Sequence, residues 1–295
     1  MRRHPVILGI CILLFIGIVF FVLLYALGLF KGAGSSLSLR EKIGVVQIEG
    51  VIADSREIVD QIDELSNDDA IRAVVLRIDS PGGGVAPSQE IYQAVNELRK
   101  KKRVVASMGS VAASGGYLIA TATERIVANP GTITGSISAV MHFADVQELM
   151  KKVGVRSSVV KSGKFKDIGS PAREMTTEER QLIQGIVDDI YDQFVQTISE
   201  NRKIPLEKIN EIADGRIFSG RQALNLKLVD ELGGLQDSIL LAGRLSGIKG
   251  KPDVIYATKK KTSFLKYIME NMASVVSGEI RRNSSESRGA LFLFQ

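Results

Sequence analysis

Residues Val6 to Phe30 form a run that is almost wholly apolar and holds no charged side chain. No other feature restricts the fold so much, because a stretch of this length cannot be packed inside an ordinary soluble domain. A helix rises 1.5 Å per residue, and about 20 apolar residues cross the hydrocarbon core of a bilayer. The run is longer than the apolar region of a removable signal peptide, and only Ala33-Gly34 offers a weak small-residue cleavage site. It therefore reads as a single N-terminal transmembrane helix within residues 1–31. Arg2 and Arg3 precede the run and favour a cytoplasmic N-terminus, although Lys31, Arg40 and Lys42 follow it. The expectation is a single-pass protein of the cell membrane with its main domain outside the cytoplasm. The one cysteine, Cys11, lies inside the run, so no internal disulfide is available.

Small and polar residues make 32–42 a linker. A folded domain is expected over 43–250. Ile43–Ile48 and Ala73–Ile78 are β-branched or apolar runs that suit buried parallel strands, the second broken only by Arg77. Helical spacing marks Arg56–Leu65 and Ala86–Lys102. Val104–Met108, Arg125–Ala128, Gly135–Val140 and Ser157–Lys161 read as further strands, with helices starting near Ala112 and over Val146–Val153. Alternating strands and helices imply an α/β fold with a mostly parallel sheet and flanking helices. From Thr176 the pattern is mainly helical. Thr176 is the expected N-cap, with Glu179 three residues on. Shorter helices are expected around Leu206–Ala213, Gly220–Leu226 and Leu235–Leu245. Residues 251–295 form a C-terminal extension, polar and partly disordered over Asn283–Arg288, with an apolar Ala290–Phe294 near the end.

The chemistry is narrowed by elimination. The net charge of +5 is spread along the chain, without the aromatic and basic interleaving of a nucleic-acid binder. No His/Cys cluster has metal-ligand spacing, and no phosphate-binding glycine motif follows a strand, so neither metal nor cofactor is expected. His4 precedes the apolar run, which leaves His142 as the one histidine open to a Ser-His-Asp triad. What remains is a nucleophile served by a lysine. Ser114, in Ala113-Ser114-Gly115-Gly116-Tyr117, falls between a strand and a helix, where unpaired N–H groups gather. The Gly115 N–H and the glycines of Gly82-Gly83-Gly84 are candidate oxyanion donors. A base is available in Lys161, Lys164 or Lys166, provided that burial keeps its amine neutral. Spacing does not choose among the three.

Taken together, Asp79-Ser80-Pro81-Gly82-Gly83, Ala113-Ser114-Gly115-Gly116-Tyr117, Thr134-Gly135-Ser136-Ile137 and Ser162-Gly163-x-x-Lys166-Asp167 resemble the signal peptide peptidase A (SppA) family in its short bacterial form. Ala213-Asp214-Gly215-Arg216 and Leu228-Val229-Asp230-Glu231-Leu232-Gly233 are also similar, and the match runs from about residue 43 to 245. The resemblance implies a ClpP/crotonase-like fold and a serine endopeptidase that degrades cleaved signal peptides and other short apolar peptides. It implies Ser114 as nucleophile, Lys166 as general base, Gly83 (or Gly82) and Gly115 as oxyanion donors, and Ser136 as a support for the lysine. It further implies a homo-oligomeric ring, an octamer, in which one subunit's lysine serves its neighbour's serine. Ser138 departs from the family, which commonly has glycine there. Two rivals share the fold: a crotonase-type acyl-CoA enzyme and a non-catalytic membrane scaffold. A further expectation is that the Ala290–Phe294 tail enters the substrate groove as an extended strand.

Overall fold

The computed structural model describes residues 12–20, 22–23 and 41–258. Residues 12–20 and 22–23 are helical and exposed. No helix among the described residues is long and apolar enough to cross a membrane. The rest of the expected anchor, and the tail from 259 onward, lie outside the described residues.

The unit that begins at Lys42 is built on an eight-stranded sheet. Its strands are β1 (Lys42–Ile52), β2 (Ile71–Gly83), β3 (Arg103–Ala113), β4 (Arg125–Ala128), β5 (Ile133–Gly135), β6 (Ile217–Ser219), β7 (Glu231–Leu232) and β8 (Asp253–Tyr256). The main order is β6-β5-β3-β2-β1-β8, with β4 between β3 and β7. All pairings are parallel except β5 with β6. The mixed α/β architecture with a mostly parallel sheet is therefore as expected, and β8 carries the sheet beyond residue 250. The helices are α1 (Arg56–Asn67), α2 (Val85–Lys101), α3 (Gly115–Thr121), α4 (Gln147–Lys152), α5 (Thr177–Arg202), α6 (Leu206–Asn210), α7 (Gly220–Asn225) and α8 (Leu235–Ser246).

Alternation along the central strands fills both faces of the sheet. Val46, Ile48, Val74, Leu76 and Ile78 point into the larger core, which α2, α3 and α5 help to close. Ile43, Val45, Ala73, Val75 and Val105 point to the other face, under Ile239, Leu241 and Ala242 of α8. This two-sided burial explains the unbroken apolar runs of β1 and β2. Arg77 is tolerated because its Nη1 donates to Ser107 Oγ (3.2 Å) and to the Met108 carbonyl (3.0 Å).

Two irregularities shape the end of the sheet where the candidate residues sit. β2 runs through Pro81 as far as Gly83, with register shifts between Ile78 and Ser80 against β3 and between Glu49 and Val51 against β1. Proline cannot donate to a ladder, and bulges are where strands accept it. Meanwhile β3 changes partner, pairing with β4 over Val105–Met108 and with β5 over Val111–Ala113. At the changeover Asp79 Oδ1 accepts the Val111 N–H (3.0 Å). Any side chain at Gly109 would collide with that carboxylate.

The structure corrects three expected elements. The helix expected near Ala112 starts at Gly115, because β3 holds its ladder to Ala113. The strand expected over Gly135–Val140 ends at Gly135, since φ is +85° there and +51° at Ser136, outside the extended region. Ser157–Lys161, expected as a strand, is exposed and forms none; a β-ladder needs a paired neighbour, and among the described residues this segment has none.

Candidate active site

Ser114 sits between β3 and α3 with φ 52° and ψ −120°. A non-glycine residue in that region is strained, and such strain persists only where surrounding contacts impose it. Here the Ser114 N–H donates to the Gly135 carbonyl (2.9 Å), and the Ser114 carbonyl accepts from the Leu118 N–H (2.9 Å). Tyr117, three residues on, is fully buried, and its hydroxyl donates to the Leu228 carbonyl (2.9 Å). Burial pushes that phenol well above its ordinary value. The turn is thus fixed from both sides, while the Ser114 hydroxyl makes no hydrogen bond to the described residues.

The glycine motifs meet at this turn. A Cβ at Gly82, where φ is +97°, would lie 2.7 Å from the Gly115 nitrogen and 2.8 Å from Ser114 Cβ. A Cβ at Gly116 would lie 3.0 Å from the Ser80 carbonyl oxygen. The two segments touch backbone to backbone, which only glycine permits. Ser80 is completely buried; its hydroxyl donates to the Gly50 carbonyl (2.6 Å) and accepts the Gly82 N–H (3.1 Å), fixing the end of β2. At the start of α3 the first N–H groups have no intrahelical partner, and no side chain caps them.

Ser114, Gly83 and Gly115 line a cavity of about 430 Å³. Its walls include Tyr92 of α2, Leu118 of α3, and Ile190 and Phe194 of α5, with Ser138 and Val140 completing the rim. Among the described residues no charged side chain lines it. Ser136, at φ +51°, lies one residue beyond the Gly135 carbonyl that holds Ser114, and its own N–H donates to the Arg216 carbonyl (2.8 Å). Ser138, the departure from the family pattern, reaches the cavity, and the Cα of Gly215 leaves it room.

The three lysines are distinguished by their partners. Lys161 Nζ donates to Asp167 and to the Lys164 carbonyl (2.8 Å), and Lys164 is paired with Glu178. Lys166 is exposed, and its amine has no partner among the described residues. It does not line the Ser114 cavity of its own chain, and neither does the exposed His142. Sequence reasoning missed several groups here. Ser88 Oγ, bonded to the Gly84 carbonyl (2.8 Å), packs against Gly115. Gln89 and Gln193 bridge α2 and α5 beside the cavity (3.1 Å). Their signal in the sequence is only that of polar residues on helices.

The mostly parallel sheet, with a strained serine beside close-packed glycines, is consistent with a ClpP-like fold, and a family model described as Clp protease matches residues 37–152, less than half of the chain. The model of peptidase family S49 matches residues 96–249, more than half of the chain. This chain belongs to peptidase family S49, and it is a serine peptidase. It is 45% identical over 212 residues to a proposed protease of Synechocystis sp., covering 72% of this chain and 76% of that one. It is 33% identical over 213 residues to a proposed signal peptide peptidase SppA of Enterococcus faecium, covering 68% and 62%. A longer relative, serine protease SPPA of Arabidopsis thaliana chloroplasts, is 31% identical over 248 residues, which is 83% of this chain and 36% of the relative.

Proposed function

We propose that this peptidase is anchored in the cell membrane by its N-terminal apolar run, faces away from the cytoplasm, and degrades cleaved signal peptides and other short apolar peptides with a Ser114/Lys166 dyad. The observation that carries the reading is the cavity that opens on Ser114, whose lining among the described residues is uncharged, which suits an apolar peptide and offers none of their cations to the phosphates of an acyl-CoA. Lys166, with an unengaged amine outside its own chain's cavity, suits a base delivered to a neighbouring subunit of a ring, an octamer by family resemblance. Lys166 takes the proton of Ser114 Oγ as the oxygen attacks the peptide carbonyl. N–H groups at Gly83 and Gly115 stabilise the oxyanion, each worth about 2.7–4 kcal/mol. Collapse breaks the C–N bond, and the protonated lysine returns its proton to the leaving amine. Water, deprotonated by the same lysine, then releases the acyl group and restores Ser114. Ser136 supports the lysine.

Subunit mixing tests this. Ser114→Ala and Lys166→Ala oligomers are each expected to be inactive on a fluorogenic apolar peptide, and co-assembly of the two to restore part of the activity. His142→Ala is expected to cleave at the wild-type rate. Turnover by Lys166→Ala alone would remove the lysine from the mechanism, and inactive mixed oligomers would return the dyad to a single chain.

A further inference from the structure

We propose that Arg173 is a positioning residue for the Lys166 amine. Its guanidinium pins Asp167, the residue after the lysine, to the first turn of α5, the helix whose later turns wall the Ser114 cavity. This inference rests on Lys166 acting as the base.

Arg173 Nε donates to Asp167 Oδ2 (3.0 Å), and Nη1 and Nη2 donate to the two oxygens of Glu179 (2.8 and 2.5 Å). The remaining donors reach the Glu174 carbonyl (3.0 Å) and the Asp167 carbonyl (3.4 Å). Such a fork fixes orientation as well as distance, which a flexible ammonium does not. The partners are not loose surface groups: the side chains of Asp167 and Glu179 are 13% and 4% exposed. Glu179 is itself fastened, because its Oε2 accepts the Thr176 N–H (2.9 Å) while Thr176 Oγ1 accepts the Glu179 N–H (3.2 Å). Lys161 grips Asp167 from the other side.

The backbone around Lys166 needs this brace. No strand or helix holds residues 155–175, and the backbone of the lysine's own segment is closed by turn bonds such as Lys166 N–H to the Gly163 carbonyl (3.2 Å) and Ile168 N–H to the Phe165 carbonyl (3.1 Å). Those bonds shape the turn without fixing it to the rest of the fold. Lys164 reaches Glu178 of α5 only through exposed side chains (66% and 55%), so Arg173 supplies the buried link, and α5 continues without interruption to Ile190, Gln193, Phe194 and Thr197 at the cavity. The lysine is therefore referenced to a groove wall, and its amine is left free while the residue next to it is locked.

The test measures kcat and KM on a fluorogenic apolar peptide for the full-length oligomer and its Arg173→Ala, Arg173→Lys and Lys166→Ala variants. A displaced base of about 1 Å costs up to roughly 100-fold, so Arg173→Ala is expected to lose about 10- to 100-fold in kcat with KM changed less than about twofold. Arg173→Lys is expected to recover part of the loss. An Arg173→Ala enzyme with wild-type kcat, or one whose defect lies in KM alone, overturns the inference. Should Arg173→Ala fail to fold, Asp167→Asn decides, since it keeps the Arg173–Glu179 pair and the start of α5: a fall in kcat supports positioning, and wild-type kcat overturns it. The two readings fail separately. An active Lys166→Ala sinks the base assignment and this inference with it, whereas an inactive Lys166→Ala beside a fully active Arg173→Ala sinks this inference alone.

Discussion

Gly82→Ala tests the packing of the site without removing any group assigned to the reaction. Two costs are readable from the structure. At φ +97° an L-residue is strained by about 1–2 kcal/mol. The added Cβ would also stand 2.7 Å from the Gly115 nitrogen, so that N–H must retreat by about 0.7 Å to reach ordinary contact at 3.4 Å. Ser114, met at 2.8 Å, must retreat with it. A shift of this size at an oxyanion donor and a nucleophile together is expected to lower kcat by about 10- to 100-fold. Gly50→Ala separates the two costs. Gly50 has φ +69° with nothing within 4 Å of the added Cβ, so it carries the backbone strain alone. Peptide hydrolysis and the guanidinium unfolding midpoint should be measured for both. The expectation is that Gly50→Ala loses about 1–2 kcal/mol of stability, that Gly82→Ala loses more, and that only Gly82→Ala loses its rate. A Gly82→Ala enzyme with wild-type kcat would refute the argument that the Gly82–Gly115 approach sets the site.

Two further outcomes follow from the start of α5. Thr176→Ala removes the capping oxygen from the Glu179 N–H and is expected to cost about 1 kcal/mol in denaturant unfolding. Glu179, held by Arg173 and the Thr176 N–H, titrates at about 2 in the folded chain against 4.5 ordinarily. Its folded-state value is depressed, so its contribution is present above pH 4.5 and is lost as pH falls toward 2. Unfolding midpoints followed from pH 5 to 2 should decline steeply in the wild type and less so in Glu179→Gln.

The regular part of the fold was legible because its residues obey local rules. The uninterrupted apolar character of Ala73–Ile78 forecast a strand covered on both faces, and Thr176 with Glu179 forecast a helix start that forms a complete capping box. The small-residue motifs were legible as candidates, since glycines beside a serine at a strand end can open backbone N–H groups to a substrate as well as serve tight packing. What escaped was set by distance in the chain. Asp79 and Val111 lie 32 residues apart, and their hydrogen bond sits where β3 changes partner. The positive φ of Gly135 and Ser136, which ends β5, likewise belongs to a turn fixed by distant partners, the Ser114 N–H on the Gly135 carbonyl and the Arg216 carbonyl on the Ser136 N–H. Ser157–Lys161 carries a strand-like pattern, but pattern alone does not supply a neighbour to pair with. Arg173 was overlooked because an arginine in an irregular segment looks like solvent-facing charge until its carboxylate partners are placed.

The two halves of the proposed dyad are held by opposite means. Ser114 and Ser136 both take φ near +50°, joined through the Gly135 carbonyl. Strain of this kind is worth on the order of 1–3 kcal/mol per residue and must be offset by surrounding structure. Here the surroundings are fully buried: Ile78, Ala112, Tyr117 and Ile137 are all at 0% exposure. The serine is therefore placed by the rigid core of a single subunit. Lys166 is placed by ion pairs on a segment with no sheet partner, flanked by Val153, Val155, Val159 and Val160, which are all exposed, Val160 completely. Apolar residues displayed in this way lower the free energy only when another surface covers them. Under the proposed sharing of the dyad, the contact that covers these valines also carries the amine to its serine, so forming the interface and completing the active site are one event.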